Sequence, residues 1–483
     1  MNKTYKLKNI VLKSVFILFI LLMSFIMISC SPVNENIETE DPQNIVDAVV
    51  EKDEEEEEPE EVKEEEKIID YVVENPLITY IKDDGLYFSY LDDGIEMRMH
   101  EAQGISNPRI SPDGNFIAYT FEDGLYVYNL EVKDYGLVED GVLSYAFADE
   151  ESIIFSDVNK GLNKFDLITG DKIQVEDDFI YENLTYAKEG IMYGKRVYQW
   201  ADNMGMYAEN VGIVEINLEN LDTNLVIDAE RDSEEELGYD PSIFHISRDG
   251  RYVYLMEKFQ SGSMSADFGS VGVYDNETKK HTAFEDIYDM KDWSEDDLIV
   301  LPRWNNLAIN PQKGNVISVV MGGGREMIFE KEVVLLDIED NKSYELIKFM
   351  EDGLVGKTPS FSLDGKKLYY SATEAIDTLA TGDYGEEFKD WFIQAHNIYE
   401  YNIETLEVSK LTQEMSFDFM PMSRGDSILF FRAQDDIPEY FSLIQWTDGV
   451  EEILLEDILF KDQFYGSIET GTSMDILLNS KKF

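Results

Sequence analysis

Four histidines, one cysteine and 100 carboxylates are the groups in this 483-residue chain with a capacity for acid–base or ligand chemistry. His100, His245, His281 and His396 lie far apart, without the i, i+4 pairing of a helical zinc site. Only His396 has unusual company, five positions after Trp391. A carboxylate pair for glycoside chemistry cannot be singled out among so many acids. Asp83-Asp84-Gly85 and Asp92-Asp93-Gly94 offer the oxygen ligands calcium takes, but both lack the ligand ladder of a dedicated loop and read as turns. No cofactor is expected, with calcium the one ion the composition admits. Gly471-Thr472-Ser473-Met474-Asp475 carries Asp where a Gly-x-Ser-x-Gly elbow needs its last glycine. Gly322-Gly323-Gly324-Arg325 lacks the Lys-Ser/Thr and the helix that follow a phosphate loop. These absences point away from catalysis.

A second group of residues is suited to holding a partner. Arg196, Trp200, Tyr207, Phe268, Arg325, Asp383, Tyr384, Trp391 and His396 fall in stretches where no repeating pattern requires them, alongside Tyr198, Phe259 and Phe392. Aromatic side chains with interspersed Arg and Asp suit peptide and sugar surfaces. Trp200 and Trp391 are the expected anchors, with Arg196, Arg325 and Asp383 orienting the partner. The other reading is that these residues pack on one another.

The elements that would carry them follow from an internal repeat. The clearest unit runs Pro108-Arg109-Ile110-Ser111-Pro112-Asp113-Gly114, then Asn115 to Tyr119, then Gly124 to Leu130. It reads as strand, tight turn, strand, turn, strand, because Pro presets φ, Asp bonds its own backbone and Gly accepts φ > 0. The frame returns from His245 to Tyr254 with Val271 to Asp275, and from Ser360 to Tyr370 with Ile398 to Asn402. Weaker copies span Pro76 to Met99, Leu143 to Val175, Leu184 to Ile227, Asn305 to Ile347 and Phe417 to Leu455.

The three strong copies resemble the repeat of TolB-type β-propellers, with Ser-Pro-Asp-Gly, an apolar strand, and a Tyr-rich strand ending in Asp. The resemblance implies an all-β chain: a closed β-propeller of four-stranded blades from Ile68 to Phe483, with eight blades, or seven and a degenerate hairpin. Each unit takes about 52 residues, slightly above the usual blade. The segment Gln463 to Asn479 has no unit of its own and is expected to return and complete the first blade. The extra N-terminal domain of TolB and the hydrolase domain of prolyl-oligopeptidase-like enzymes find no counterpart, so the fold does not carry their activities over.

In a blade, connections alternate between two faces. The link between second and third strands is short in the early units and is expected to lengthen into loops at Gly194 to Asn210, Glu257 to Ser270, Met321 to Glu330 and Ser371 to Asn397. The inter-blade stretches Asp228 to Ser242 and Glu285 to Arg303 emerge on the same face. Loops this long are uncommon in compact domains unless they are used. One face is therefore expected to be the binding face.

The N-terminus adds location. Lys3, Lys6, Lys8 and Lys13 precede an apolar stretch from Val15 to Ile28, too short to span a bilayer that needs about 20 residues. Met27-Ile28-Ser29-Cys30 resembles a lipobox, which implies that residues 1–29 are a cleaved signal peptide and that Cys30 carries lipid. Two acyl chains give lasting attachment where one does not. Residues 30–67 are rich in Glu and Asp and read as a disordered spacer. The net charge of −60 repels phosphate backbones and argues against nucleic acid. The expectation is a lipoprotein on the outer face of the cytoplasmic membrane or in the cell envelope, touching the membrane through Cys30. It would bind a protein, peptide or glycan there, the alternative being a lyase- or glycosidase-type enzyme acting on an extracellular polysaccharide.

Overall fold

The computed structural model describes residues 72–479, except 160, 189, 203–204, 231–237, 260–269, 283–305, 323–330, 340–341, 348–352, 376–390, 414, 434–438, 461–462 and 465. At 72–75, 200–202, 205–207, 258–259, 270, 342–345, 347, 463–464 and 479 only the backbone is described. Cys30, the expected signal peptide and the expected acidic spacer lie outside these residues, as do Phe268, Arg325, Asp383 and Tyr384.

Eight four-stranded antiparallel sheets follow one another along the chain. Blades two to eight each take four consecutive strands, innermost first: blade two begins at Ser106–Ile110, three at Val142–Phe147, four at Ile180–Lys188 and five at Tyr239–Ile246. Blades six, seven and eight begin at Leu307–Asn310, Leu354–Phe361 and Asp418–Arg424. Blade one differs. Its strands Val72–Lys82, Gly85–Tyr90 and Ile95–His100 are joined by Met474–Asn479, which pairs with Val72–Lys82 as the innermost strand. The return of the C-terminal segment and the count of eight, not seven, are thus as expected. Among the described residues α-helix is confined to 391–393.

The strong repeats fold as their turn chemistry dictates. Ser111 Oγ donates to Asp113 Oδ1 at 2.6 Å and accepts from the Phe116 N–H at 2.9 Å. Ser247 with Asp249 and Tyr252, and Ser362 with Asp364 and Lys367, repeat both bonds. The glycines of these turns have φ of 75°, 69° and 68°, the left-handed region that Gly enters without a Cβ clash.

Packing between blades closes the ring. Phe116, Val127, Phe147 and Phe155 join blades two and three; Tyr193, Ile213, Ile243 and Leu255 join four and five; Tyr254, Val273, Ile317 and Val334 join five and six. Leu459 of blade eight packs with Leu86 and Leu477 of blade one and Ile117 of blade two. Polar ties reinforce this seam. Arg424 bonds Asp92, Tyr440 OH donates to Asp83 at 2.6 Å, and the Ile110 N–H donates to Asp475 at 2.8 Å.

A second device runs around the inner strands. Asn107, Asn183, Thr358 and Met420 have φ between 48° and 53°, each at a bulge where the register of the inner strand shifts. A bulge releases an N–H from the ladder, and a buried N–H needs a partner. The preceding blade supplies it: Asn107 N–H to Thr472 O, Leu184 N–H to Ser144 Oγ, Thr358 N–H to Asn306 Oδ1 and Met420 N–H to Thr358 Oγ1.

Candidate functional site

The stretch from Gly194 to Asn210, expected to be a loop, is strand at its described residues, 194–202 and 205–210. Ile191–Asp202 and Gly205–Asn217 pair from Ile191↔Asn217 to Asp202↔Gly205, with one register shift between Arg196 and Val197. The reason is local: Val197, Tyr198, Trp200 and Tyr207 favour extended backbone, and cross-strand pairing satisfies N–H and C=O groups that a loop would leave to solvent. The two strands have 12 and 13 residues, where their counterparts in blade two have 6 each. Blade four therefore carries a long hairpin on the face of the second-to-third-strand links. Trp200 and Tyr207 are backbone partners in it, and Tyr198 is 43% exposed.

The foot of this hairpin is held to blade five. Asn210 Nδ2 donates to Asp240 and, at 3.1 Å, to the Pro241 carbonyl. Lys195 Nζ lies 3.1 Å from Asp240 Oδ1 and 3.3 Å from Ser242 Oγ. An ion pair this buried is held by its extra hydrogen bonds, since removing one partner would strand the other charge.

Next to it, three strands of blade five bring acid–base groups together. Tyr239 OH donates to Glu257 Oε1 at 2.7 Å, and His281 Nε2 lies 2.5 Å from the same oxygen. With Nε2–H facing the carboxylate, Nδ1 is the acceptor of the ring. Burial, with the Glu257 charge second, raises the Tyr239 phenol well above its ordinary range, so it stays a donor. Glu257 is 6% exposed, while the His281 side chain is 33% exposed. Glu257 reaches His281 across the middle strand because Gly272 lies between them; a Cβ there would overlap the Glu257 carboxylate. A glycine inside a strand is the sequence signal for such close approach, and Val271-Gly272-Val273 carries it. The Tyr–Glu–His arrangement turns the imidazole Nδ1 toward a hydrogen-bond donor, on the same face as the hairpin.

Other expected site residues lie elsewhere. Arg196 is engaged within the fold: its guanidinium meets Glu176 at 3.0 Å, Tyr181 OH at 2.9 Å and Thr223 Oγ1 at 2.8 Å, with Phe179 4.8 Å from its centre. It joins blades three and four. Trp391 and His396, expected on an exposed rim, are corrected by burial: both are 0% exposed. The indole, from helical backbone at 391–393, points inward, where Nε1 donates to the Gly466 carbonyl at 3.0 Å. The Asp-Asp-Gly turns hold protein partners, Asp84 taking Tyr87 OH at 2.8 Å and Arg98 at 2.9 Å. Among the described residues no three His, Cys, Asp or Glu side chains cluster as a metal site.

No protein-family profile and no curated protein sequence matches the chain. Solved structures do match in fold. Dipeptidyl peptidase 4 from Porphyromonas gingivalis aligns with a TM-score of 0.51 at 10% identity, over 81% of this chain and 60% of the peptidase. An oligogalacturonate lyase from Vibrio parahaemolyticus gives 0.39 at 12% identity, over 80% of this chain and 97% of its own. TolB from Acinetobacter baumannii gives 0.31 at 13% identity, over 70% and 64%. Identities this low concern the fold alone. The propeller expected from the Ser-x-Asp-Gly repeat is present, and TolB proteins are among its structural neighbours.

Proposed function

We propose that the protein is a lipid-anchored, extracytoplasmic binding protein that holds a peptide, protein or glycan against the face carrying the blade-four hairpin. The supporting observation is that hairpin: its strands are about twice as long as those of blade two, and its foot is fastened to blade five by Asn210. A long two-stranded projection is an exposed edge, which proteins ordinarily shorten unless it is used. At its foot, Lys195 with Asp240, and Tyr239 with Glu257 and His281, supply donors and acceptors for a polar ligand. The membrane is reached through Cys30 and the acidic spacer, both read from sequence.

The test is capture of envelope proteins and glycans on detergent-solubilised full-length protein, compared with a variant in which Tyr198 to Glu209 are replaced by Asn-Gly. That change keeps the Val197↔Asn210 pair and supplies a favoured hairpin turn. The proposal expects one or more captured partners to be lost with the hairpin. Equal recovery of every partner by both proteins overturns it.

A further inference from the structure

Two ordinarily solvated side chains are buried together between blades seven and eight. Lys357, on the inner strand Leu354–Phe361, is 3% exposed, and His396, immediately before the strand Asn397–Asn402, is 0% exposed. Lys357 Nζ and His396 Nδ1 are 2.7 Å apart. The other ring nitrogen sets the tautomer. Nε2 lies 2.7 Å from the Trp391 carbonyl oxygen, which can only accept, so Nε2 carries hydrogen and Nδ1 receives the proton of Lys357. Lys357 Nζ is 3.6 Å from the Phe417 ring centroid and 4.9 Å from that of Trp391, close enough for cation–π attraction.

The pair reaches several elements at once. His396 N–H donates to Ser416 O at 2.8 Å, and the Asp418 N–H donates to His396 O at 3.1 Å, which ties it to the start of blade eight. Trp391, held by the imidazole through its carbonyl, donates its indole N–H to Gly466 in the segment leading to the closing strand. The charged groups facing the pair are accounted for. Asp418 takes Arg432 at 2.7 and 2.9 Å and Ser416 Oγ at 3.0 Å, and Arg432 goes on to Glu451 at 2.6 Å.

We infer that Lys357 and His396 form a proton-operated clasp joining blade seven, blade eight and the segment before the closing strand. One proton between Nζ and Nδ1 satisfies both nitrogens, whichever of them holds it. A second proton sets two N–H groups against each other at 2.7 Å, with like charges in a buried site. Burial first, then the Lys357 charge, keeps the imidazole well below the ordinary histidine range; burial likewise lowers Lys357, against the pull of Asp418. The sign follows. An unfolded histidine takes its proton near pH 6.5, the folded one resists it, and so the clasp weakens as pH falls below 6.5.

The experiment follows hydrogen exchange of the backbone at 391–396 and tryptophan emission of the full-length protein in detergent from pH 7.5 to 4.5. The expected result is local opening in acid, an at least tenfold loss of protection at 391–396 relative to the intrinsic rate at each pH, with a red shift, before the rest of the ring loses protection. His396→Gln presents an amide that can donate to Trp391 O and accept from Lys357 but cannot take a proton. Its acid step should vanish while its spectrum at pH 7.5 stays native. Lys357→Met removes the opposing charge, so a protonated imidazole costs the folded state less and the step should move to lower pH by about half a pH unit or more. The inference is overturned if wild type shows no opening at 391–396 ahead of global unfolding, or if His396→Gln opens at the wild-type pH. Should His396→Gln fail to fold, an unchanged midpoint in Lys357→Met overturns it alone.

Discussion

The backbone N–H of Met420 donates to the hydroxyl of Thr358, 3.0 Å away, and so ties the inner strand of blade eight to that of blade seven. Thr358 in turn donates its N–H to Asn306, immediately before the inner strand of blade six, at 3.3 Å. Thr358 and Met420 both sit at positive φ, a conformation that costs any residue with a Cβ and most of all the β-branched Thr358. The tie between blades is what holds them there.

Thr358→Val keeps the shape of the side chain and deletes the acceptor. A buried N–H left without a partner costs about 1–3 kcal/mol, so the variant should lose that much in a urea titration while Thr358→Ser stays near wild type. Equal stability of Thr358→Val and Thr358→Ser would mean that the hydroxyl contributes nothing.

Gly272→Ala tests the crowded meeting of Glu257 and His281. The added Cβ overlaps the Glu257 carboxylate, and overpacking of this kind costs about 1–3 kcal/mol. Tyr239→Phe, which removes one donor to Glu257 and adds no atoms, should cost roughly 0.5–1.5 kcal/mol. Thermal unfolding ranks the two. Wild-type behaviour of Gly272→Ala would show that Glu257 does not lie over the middle strand.

His100 gives a pH dependence separate from the clasp. It is 9% exposed, Nδ1 lies 3.0 Å from Tyr119 OH, and its ring stacks 4.5 Å from Tyr135. Burial lowers its pKa. The unfolded chain therefore takes the proton first, and stability conferred above pH 6.5 is lost as pH falls below it, by about 1.4 kcal/mol per pH unit at most. His100→Gln should flatten the fall of the urea midpoint between pH 6.5 and 5. An unaltered slope would remove His100 as a contributor.

Cys30 is the single thiol of the chain, and its place after Met27-Ile28-Ser29 motivates the lipid anchor. Cys30→Ser should leave an unprocessed precursor or a protein that no longer partitions into detergent. Intact-mass measurement and phase separation read this directly, and wild-type partitioning with wild-type mass would rule the anchor out.

Much of the ring was legible because its turns are local. Ser111, Asp113 and Gly114 set the turn with atoms only a few residues apart, so three strong copies led to eight units and to the returning C-terminal segment. The hairpin was harder, since Gly194 to Asn210 contains none of the Asn-Gly signals that mark a two-residue turn. Trp391 and His396 show a different difficulty. An aromatic in a long connection looks the same in sequence whether it meets a partner or folds inward, and here the Gly466 carbonyl decides. Tyr239, Glu257 and His281 come from three strands and are brought together by pairing across the blade, which no local spacing encodes. Gly272 alone hinted at them.

The strand Met474–Asn479 gives the ring a consequence for biosynthesis. It supplies the innermost strand of a sheet whose other three strands lie between Val72 and His100. Blade one is thus the last of the eight to be completed, and Leu77, Ile78 and Tyr80, each no more than 1% exposed in the finished ring, wait for a strand that follows the other seven blades. Pairing across so many residues is slow to form. A nascent chain stalled before Met474 presents an open edge and a bare apolar strand, the features that draw chaperones and proteases. Closure of the ring therefore hangs on that strand: Leu77, Ile78 and Tyr80 can be hidden only once Met474–Asn479 has been made.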